Sequence, residues 1–224
     1  PIGRALQEAQ AKNEIFVRPT IFNIKVGPIL RWEKDLRFYQ KELKKRSLDD
    51  WLNFIWINIY KNKVNFYSGE GNFFHDIENS NSLIKNWLFT NTLETPINNA
   101  GKIAVHIRRG DFKKSNKSNL THQIPTQWYL DTVDRLLCNV DLNVVIFSDG
   151  DVSDDWLKFG SRVKLSLNRS ACSNMLSMST ADFLIASRST FSLWSYFLSK
   201  QKTYFPKGLE LKKYIGPSRN INYV

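Results

Sequence analysis

The sequence contains few of the residues that mark several large classes of protein. Its two cysteines, Cys138 and Cys172, are too few for a disulfide framework or a CxxC zinc site, so we expect a reducing compartment and a cytoplasmic location. With ten glycines and seven prolines in 224 residues, a collagen-like or linker-dominated chain is excluded. His75 and His122 show no spacing typical of a metal site or a catalytic triad.

The sequence also lacks a long apolar run. The longest one, 51–60, contains two asparagines and is far shorter than a membrane span. Residues 1–10 are polar and have no apolar core of a signal peptide. We therefore expect no transmembrane segment, while peripheral contact with a membrane stays open. Because the sequence starts at Pro1 rather than at a methionine, we expect a trimmed chain or a fragment.

Apolar residues and positive charge are both plentiful. Hydrophobic residues make up 42% of the chain and aromatic residues 13%, which is enough for a packed core and excludes general disorder. The 32 Lys and Arg residues against 21 Asp and Glu residues give a net charge of +11, which favours phosphate-bearing partners. There is no arginine-rich run and no RNP-like strand, so nucleic-acid binding is the weakest interpretation and we expect no nucleic-acid partner.

Hydrophobic spacing divides the chain into two parts. It predicts helices at 4–14, 31–46 and 79–89, and it is ambiguous between helix and strand at 51–67. The segment 95–101 then interrupts the pattern with proline, asparagine and glycine. We therefore expect an N-terminal domain, 1–97, and a C-terminal domain, 98–224.

The second part alternates between short apolar runs and amphipathic segments. The runs suit buried strands at 103–107, 143–147, 163–167, 183–186 and 202–205. The segments between them suit helices at 126–138, 175–180 and 191–198. Strands separated by helices predict an α/β fold with a parallel sheet, in which ligands bind at the carboxyl ends of the strands. Three loops lie at these ends: 106–112, 148–155 and 187–192.

The first of these loops contains Arg108, Arg109, Gly110 and Asp111. Two adjacent arginines at the end of a buried strand are costly unless an anion meets them. The planar guanidinium matches phosphate oxygens, and glycine lets the backbone approach a ligand closely. These residues predict a phosphate-binding loop, with a strand-end ion pair between an arginine and Asp111 as the alternative.

The other two loops offer hydroxyl groups and carboxylates. Ser189 and Thr190 lie directly before a helix, where hydroxyl and backbone N–H groups bind anions; a simple helix cap is the alternative. Asp149 and Asp151 lie in the middle loop, and their carboxylates suit Mg²⁺ or Mn²⁺. We expect no metal there, because two arginines already neutralise a diphosphate and a solvated acidic turn explains the carboxylates.

Residues 106–111, His-Ile-Arg-Arg-Gly-Asp, resemble the HxRRGD motif of GDP-fucose-dependent fucosyltransferases, specifically of the α-1,2-fucosyltransferase family (glycosyltransferase family 11). Further segments agree with that family in order and spacing: 126–130, 145–149 and 189–194. Residues 3–7 are similar, more weakly, to its glycine-rich opening loop. The resemblance is specific over 103–206 and essentially absent over 15–95.

The resemblance implies a fold and a reaction. The implied fold is α/β and GT-B-like, with two Rossmann-like halves with parallel sheets, of which the N-terminal half is reduced and helix-rich. Residues 1–97 would form the acceptor side, and residues 98–224 would bind GDP-fucose. The implied reaction is an inverting, metal-independent transfer of L-fucose to a glycan hydroxyl, as an α-1,2 linkage to galactose, with no cofactor.

The resemblance also implies roles for individual residues. Arg108 matches the arginine that holds the β-phosphate. Asp111, the carboxylate nearest to it in sequence, is our second catalytic candidate, either as general base or, as we favour, as a partner that orients an arginine. The residues expected to bind the donor are His106, Arg108, Arg109, Asp149, Ser189, Thr190, Phe191, Gly3 and Arg4. No residue is expected to bind a metal.

Two other functions stay open at this point. A metal-dependent transferase of another nucleotide sugar would use Asp149 and Asp151. A non-catalytic relative would bind a nucleotide sugar or a glycan without turnover.

Overall fold

The chain forms two compact units, 1–95 and 96–224. The computed structural model describes residues 2–16, 42–44, 52, 55–56, 59, 65, 67, 71–110, 123–167, 170–199, 201–208, 211, 214–215 and 221–224. The division after Thr95 falls at the start of the proline- and glycine-containing segment at 95–101. The assignment of 1–97 to an acceptor and 98–224 to a donor stays a prediction.

The described part of the first unit is helical. Helix α1 spans Ile2–Lys12, a 3-10 helix spans His75–Ser80, and helix α2 spans Asn81–Asn91. Gly3 is buried, and a Cβ there would lie 2.9 Å from Cδ1 of Ile84. A side chain at position 3 would therefore displace the Ile84 side chain where α1 packs against α2. These elements confirm the helices predicted at 4–14 and 79–89.

The prediction of a helix at 31–46 is wrong where the structure describes this segment, at 42–44. Leu43 instead forms an isolated antiparallel bridge with Thr92. Lys44 N donates to the carbonyl of Asn91 at 2.6 Å, so this short segment pairs along the end of α2. The rest of that predicted helix lies outside the described residues.

The ambiguous segment 51–67 is helical at its four described positions in the first half. Leu52, Ile55, Trp56 and Ile59 are all helical and all exposed. Their spacing is that of one face of a helix, and these four side chains are exposed to solvent.

The second unit contains the sheet. Its elements in chain order are β1 Lys102–Ile107, α3 Thr126–Leu137, β2 Asn143–Ser148, a 3-10 helix Asp154–Arg162, β3 Val163–Leu165, α4 Ala171–Met178, β4 Phe183–Ile185, α5 Thr190–Ser199, β5 Lys202–Phe205 and β6 Ile221–Tyr223. All strand pairs are parallel, in the order β3-β2-β1-β4-β5-β6. This is the Rossmann order, and it confirms the predicted α/β fold with a Rossmann-like C-terminal half.

The helix-rich N-terminal half agrees with the described residues of the first unit. Among the described residues of this unit, the strand pairing consists of the isolated bridge between Leu43 and Thr92. The structure describes no second Rossmann-like sheet, which the GT-B expectation includes, among the described residues of this unit.

The core lies between β1 and α3. Five consecutive residues of β1, from Ile103 to Ile107, are buried, because a central parallel strand is covered on both faces. Tyr129, Leu130 and Val133 of α3 are buried in the same apolar cluster as Ile103. The helix therefore lies firmly on the sheet, and its first turn is fixed near the carboxyl end of β1.

The register aligns the carboxyl ends of the central strands. Ile107 pairs with Ser148 of β2, and Val105 pairs with Ile185 of β4. The chain proceeds outward from β1 to β3 and then returns to β4 on the other side of β1, so β1 and β4 form the topological switch point where α/β proteins bind ligands. Within the part of the chain that the structure describes, every helix is too short or too polar to span a bilayer.

Truncating a core residue of β1 should cost far more stability than truncating an exposed strand residue. Ile103 is fully buried, so Ile103→Ala should lower the free energy of unfolding by about 2–4 kcal/mol. Leu165 of β3 is exposed, so Leu165→Ala should cost less than about 0.5 kcal/mol. Urea unfolding of both variants measures the difference, and equal losses would contradict the described core.

Candidate functional site

A carboxylate joins the ends of β1 and β2. Arg108, directly after β1, forms an ion pair through Nη1 with Oδ2 of Asp149, directly after β2. The other carboxylate oxygen, Oδ1, accepts hydrogen bonds from the backbone N–H of Arg109 at 2.6 Å and of Gly110 at 3.1 Å. Asp149 therefore fixes both the guanidinium and the backbone at the start of the loop.

Two glycines allow this close approach of the loops. A Cβ on Gly110 would lie 2.9 Å from Oδ2 of Asp149, and a Cβ on Gly150 would lie 2.7 Å from Cβ of Arg109. A side chain at either position would displace the loop backbone from the carboxylate. The glycine that the sequence analysis linked to ligand approach thus serves first to bring two strand ends together.

The environment of Asp149 keeps its carboxylate ionised. Partial burial by itself would raise the pKa of Asp149, but the N–H groups of Arg109 and Gly110 and the Arg108 guanidinium outweigh burial and lower it. The pair with Arg108 is therefore charged at neutral pH.

The side chain of Arg109 is used within the protein. Its Nη1 donates to the carbonyl of Ile124 at 3.0 Å, and its Nη2 donates to Oγ1 of Thr126 at 2.7 Å. Gln123 Nε2 in turn donates to the carbonyl of Arg109 at 3.1 Å. Arg109 thus holds the segment that leads into α3, and its predicted contact with a donor stays a prediction.

His106 lies at the centre of a cluster of serines on the other side of β1. Its Nδ1 is 2.6 Å from Oγ of Ser192 and 2.8 Å from Oγ of Ser187, with Oγ of Ser189 farther away at 3.5 Å. The ring of Phe191 packs against the imidazole at a centroid distance of 5.1 Å. We call Ser187, Ser189 and Ser192 the serine cluster; it anchors the end of β1 to the start of α5.

Burial determines the charge of His106. The side chain is almost fully buried, and burial lowers the pKa of His106 to about 4, with Asp149 raising it and Arg108 lowering it to smaller extents. The imidazole is therefore neutral at physiological pH, and the positive charge at the end of β1 comes from Arg108 and Arg109.

Ser189 caps helix α5. Its Oγ accepts a hydrogen bond from the backbone N–H of Ser192 at 3.2 Å, and its carbonyl accepts from Leu193 N at 3.2 Å. This is the geometry of an N-cap, so the cap alternative of the sequence analysis is confirmed. A capped helix start still presents its first-turn N–H groups, and the exposed Thr190 lies there.

The remaining predicted site residues belong to other segments of the chain or lie outside the described residues. Asp111 belongs to the segment that the structure leaves undescribed. Gly3 and Arg4 lie in the first turn of α1, in the other unit, so they form part of a helix rather than the expected glycine-rich loop. Asp151 is exposed. Among the described residues, no group of three or more His, Cys, Asp or Glu side chains is close enough to hold a metal ion.

Sequence reasoning missed Ser187 and Ser192 as partners of His106. The sequence does contain a signal for them: hydroxyl residues lie at 187, 189, 190 and 192, and a helix cap requires only one of these. Assigning them to His106 needs the pairing of β1 with β4, which brings the two segments together.

The fold and the site define a Rossmann-like protein with an arginine, a helix N-terminus and a neutral histidine at the carboxyl end of its sheet. The family model of glycosyl transferase family 11 matches residues 34–205. That match covers well over half of the chain, so the protein belongs to glycosyl transferase family 11.

A solved structure of another protein resembles part of this chain. The chain is similar to an E. coli heptosyltransferase, WaaC with ADP, at 14% sequence identity and a TM-score of 0.42, over 62% of this chain and 41% of that one. The chain thus spans less than half the length of that structure. No curated protein matches the sequence significantly.

The pKa of His106 predicts how stability depends on pH. The unfolded chain protonates this histidine below its ordinary value of 6.5, whereas the folded chain does so only near pH 4. Stability should therefore fall by up to about 3 kcal/mol as the pH is lowered through this window, and the contribution is fully present above it.

Urea unfolding of the wild type and His106→Gln at about pH 7.5 and about pH 5 measures this contribution. The variant should lose less stability between the two pH values than the wild type does. Equal losses would show that His106 titrates alike in the folded and unfolded chain.

Proposed function

We propose that the protein is an inverting glycosyltransferase that moves L-fucose from GDP-fucose to a hydroxyl of a glycan, forming an α-1,2 linkage to galactose. Membership of glycosyl transferase family 11 supports the proposal. So does the match of residues 106–111 to the HxRRGD motif. The donor, the acceptor and the linkage are all part of the proposal.

The observation that carries the proposal is the position of Arg108. Its guanidinium lies at the carboxyl end of the central strand, beside the switch point, with only part of its side chain exposed. Departure of GDP puts negative charge on the β-phosphate. A guanidinium held in place before the reaction stabilises that charge without reorganisation.

Helix α5 supports the same chemistry. It begins after the four residues 186–189 that follow β4, and the first amides of a helix have no intrahelical partners. The helix dipole and these N–H groups favour a phosphate at this end. In the proposal, Ser189, Thr190 and Phe191 contact the diphosphate, and Arg108 contacts it from the β1 side.

Inversion requires attack by the acceptor hydroxyl from the face opposite the departing GDP, with its proton taken by a base or lost late. Asp111 is the candidate for this proton or for orienting an arginine. A carboxylate beside arginines has a lowered pKa and is a weak base, so we favour the orienting role.

Two alternatives make different predictions. A metal-dependent transferase of another nucleotide sugar would use Asp149 and Asp151, and Asp151 is exposed. A non-catalytic relative would bind GDP-fucose in calorimetry and show no turnover.

Replacing Arg108 tests the proposal directly. Arg108→Ala should lower the turnover of GDP-fucose by about 10²-fold or more, because a charge-stabilising donor is lost. Arg108→Lys should restore little, since an ammonium cannot reproduce the planar fork of donors.

The matched control is Arg162→Ala. Arg162 forms an ion pair with Asp141 at 2.7 Å on the exposed surface of the same unit, so its loss should leave turnover unchanged. Turnover is measured with purified protein, GDP-fucose and a galactoside. Near-normal activity of Arg108→Ala would remove the basis of the proposal.

Metal independence is a separate prediction. Excess EDTA should leave the rate unchanged, because guanidinium and helix N–H groups take the role that a divalent cation has in other transferases. Asp151→Asn should have a mild effect. A requirement for Mn²⁺ or Mg²⁺ would favour the metal-dependent alternative.

A further inference from the structure

The two neighbouring arginines at the end of β1 have different partners. Arg108 forms an ion pair with a carboxylate, whereas the Arg109 guanidinium donates to uncharged acceptors on one short segment. That segment leads into the first turn of α3. The two side chains are therefore held by different parts of the fold, although the resemblance implies contact with the donor for both.

Three hydrogen bonds hold the Arg109 guanidinium against the start of α3. Nη1 donates to the carbonyl of Ile124 at 3.0 Å and, over a longer distance, to Oε1 of Gln123 at 3.5 Å. Nη2 donates to Oγ1 of Thr126 at 2.7 Å. Both hydrogens of Nη1 and one hydrogen of Nη2 thus have acceptors within the protein. Because the guanidinium is planar, acceptors on three residues fix its orientation.

The backbone of Arg109 also has partners on both sides. Its N–H donates to Oδ1 of Asp149 at 2.6 Å, and its carbonyl accepts from Nε2 of Gln123 at 3.1 Å. The same Asp149 carboxylate binds Arg108. A continuous series of contacts therefore runs from the first turn of α3 through Arg109 and Asp149 to the Arg108 guanidinium.

Thr126, the first residue of α3, holds this series of contacts on the helix. It does not cap the helix, because Pro125 occupies the N-cap position and no side chain forms a cap hydrogen bond there. Its hydroxyl instead accepts the shortest side-chain hydrogen bond of Arg109. Tyr129 and Leu130 in the following turn are buried in the core, so the acceptor belongs to an element that is packed firmly on the sheet.

We propose that Arg109 is a positioning residue for Arg108 rather than a ligand of the nucleotide. Its side chain connects the end of β1 to α3, and we call this contact between Arg109 and Thr126 the brace. The brace keeps the Asp149 carboxylate, and with it the Arg108 guanidinium, where Arg108 meets the leaving phosphate. The part that Arg108 plays in the reaction rests on the function proposed above.

Loss of the brace should affect the rate more than the affinity. A guanidinium that is slightly displaced still attracts a diphosphate, but it no longer meets the charge that develops on the leaving oxygen. Stabilisation of the transition state therefore depends on the brace more strongly than binding of the ground state does. A direct contact between Arg109 and the diphosphate would have a different signature, since its loss would weaken GDP binding as well.

Thr126→Val separates the two roles, because it keeps Arg109 and removes the acceptor on the helix. The kcat for GDP-fucose should fall about tenfold, the effect of one hydrogen bond, while its KM and the Kd of GDP change by less than about threefold. Thr126→Ser keeps the hydroxyl and should retain wild-type turnover. Wild-type turnover in Thr126→Val, or GDP binding weakened as much as turnover, would overturn the proposal.

A double variant tests whether Arg109 acts through the helix. Arg109→Lys keeps the positive charge but loses the planar fork, so it should lower kcat to a similar extent as Thr126→Val does. In the double variant the two losses should not add, because both substitutions remove the same connection. Additive losses would show that Arg109 acts independently of Thr126 and would overturn the proposal.

The matched controls are Arg135→Lys and Thr132→Val. These two residues form the same kind of pair on the same helix: Arg135 Nη2 donates to Oγ1 of Thr132 at 3.4 Å, and its Nε donates to the carbonyl of Asp131 at 3.4 Å. Arg135 lies in the last turn of α3, at the end opposite Thr126. Both controls should retain wild-type turnover. A loss of turnover equal to that of Thr126→Val would assign the effect to the helix as a whole and overturn the role of the brace.

Unfolding in urea separates this inference from the proposed function, because it needs no substrate. The stability losses of Arg109→Lys and Thr126→Val should also be non-additive in the double variant. Additive losses of stability would overturn the brace whatever reaction the protein catalyses. A wild type that does not turn over GDP-fucose would overturn the proposed function, and non-additive losses in urea would then still support the brace.

Discussion

The loops at the carboxyl end of this sheet depend on the ion pair and the hydrogen bonds that the Asp149 side chain forms. It binds the guanidinium of Arg108 and the backbone N–H groups of Arg109 and Gly110. Backbone groups directly after a strand have left the ladder of the sheet and need other partners. Because the Asp149 side chain is the partner of both N–H groups, the loop leaves β1 in a fixed direction. The absence of a side chain on Gly150 is the steric condition for this contact.

The end of β1 connects the neighbouring strands β2 and β4 through the side chains of two residues. His106 contacts the serine cluster before and within α5, and Arg108, directly after β1, contacts Asp149 after β2. Residues from three strand ends are thereby held relative to one another. A shift of one residue in the pairing of β1 with β2 or β4 would separate them, so the register itself is part of the site.

The sequence predicted strands β1 to β5 and a pair of arginines at the end of β1, and it gave the cap at Ser189 as an alternative. Each has a local signal: an apolar run, a charge after it, a hydroxyl before a helix. It did not predict that Arg108 pairs with Asp149. The nearest carboxylate in sequence is Asp111, and proximity along the chain says nothing about the neighbouring strand. Strand β6 was missed for a related reason: Ile221–Tyr223 has no apolar run, and it forms by pairing with β5. The serine cluster likewise requires the pairing of β1 with β4.

Recognition at this end of the sheet depends on directed donors beside a positive charge. Asp149 is ionised and offsets the charge of Arg108, and burial keeps His106 neutral, whereas the guanidinium of Arg109 donates to the uncharged groups of Ile124 and Thr126. The surplus of +11 is a property of the whole chain rather than of this group. An anion here would be recognised by the geometry of the guanidinium and the first amides of α5. Donors fixed by internal hydrogen bonds need no rearrangement when charge develops on a ligand, and this is the condition under which electrostatic stabilisation of a transition state is largest.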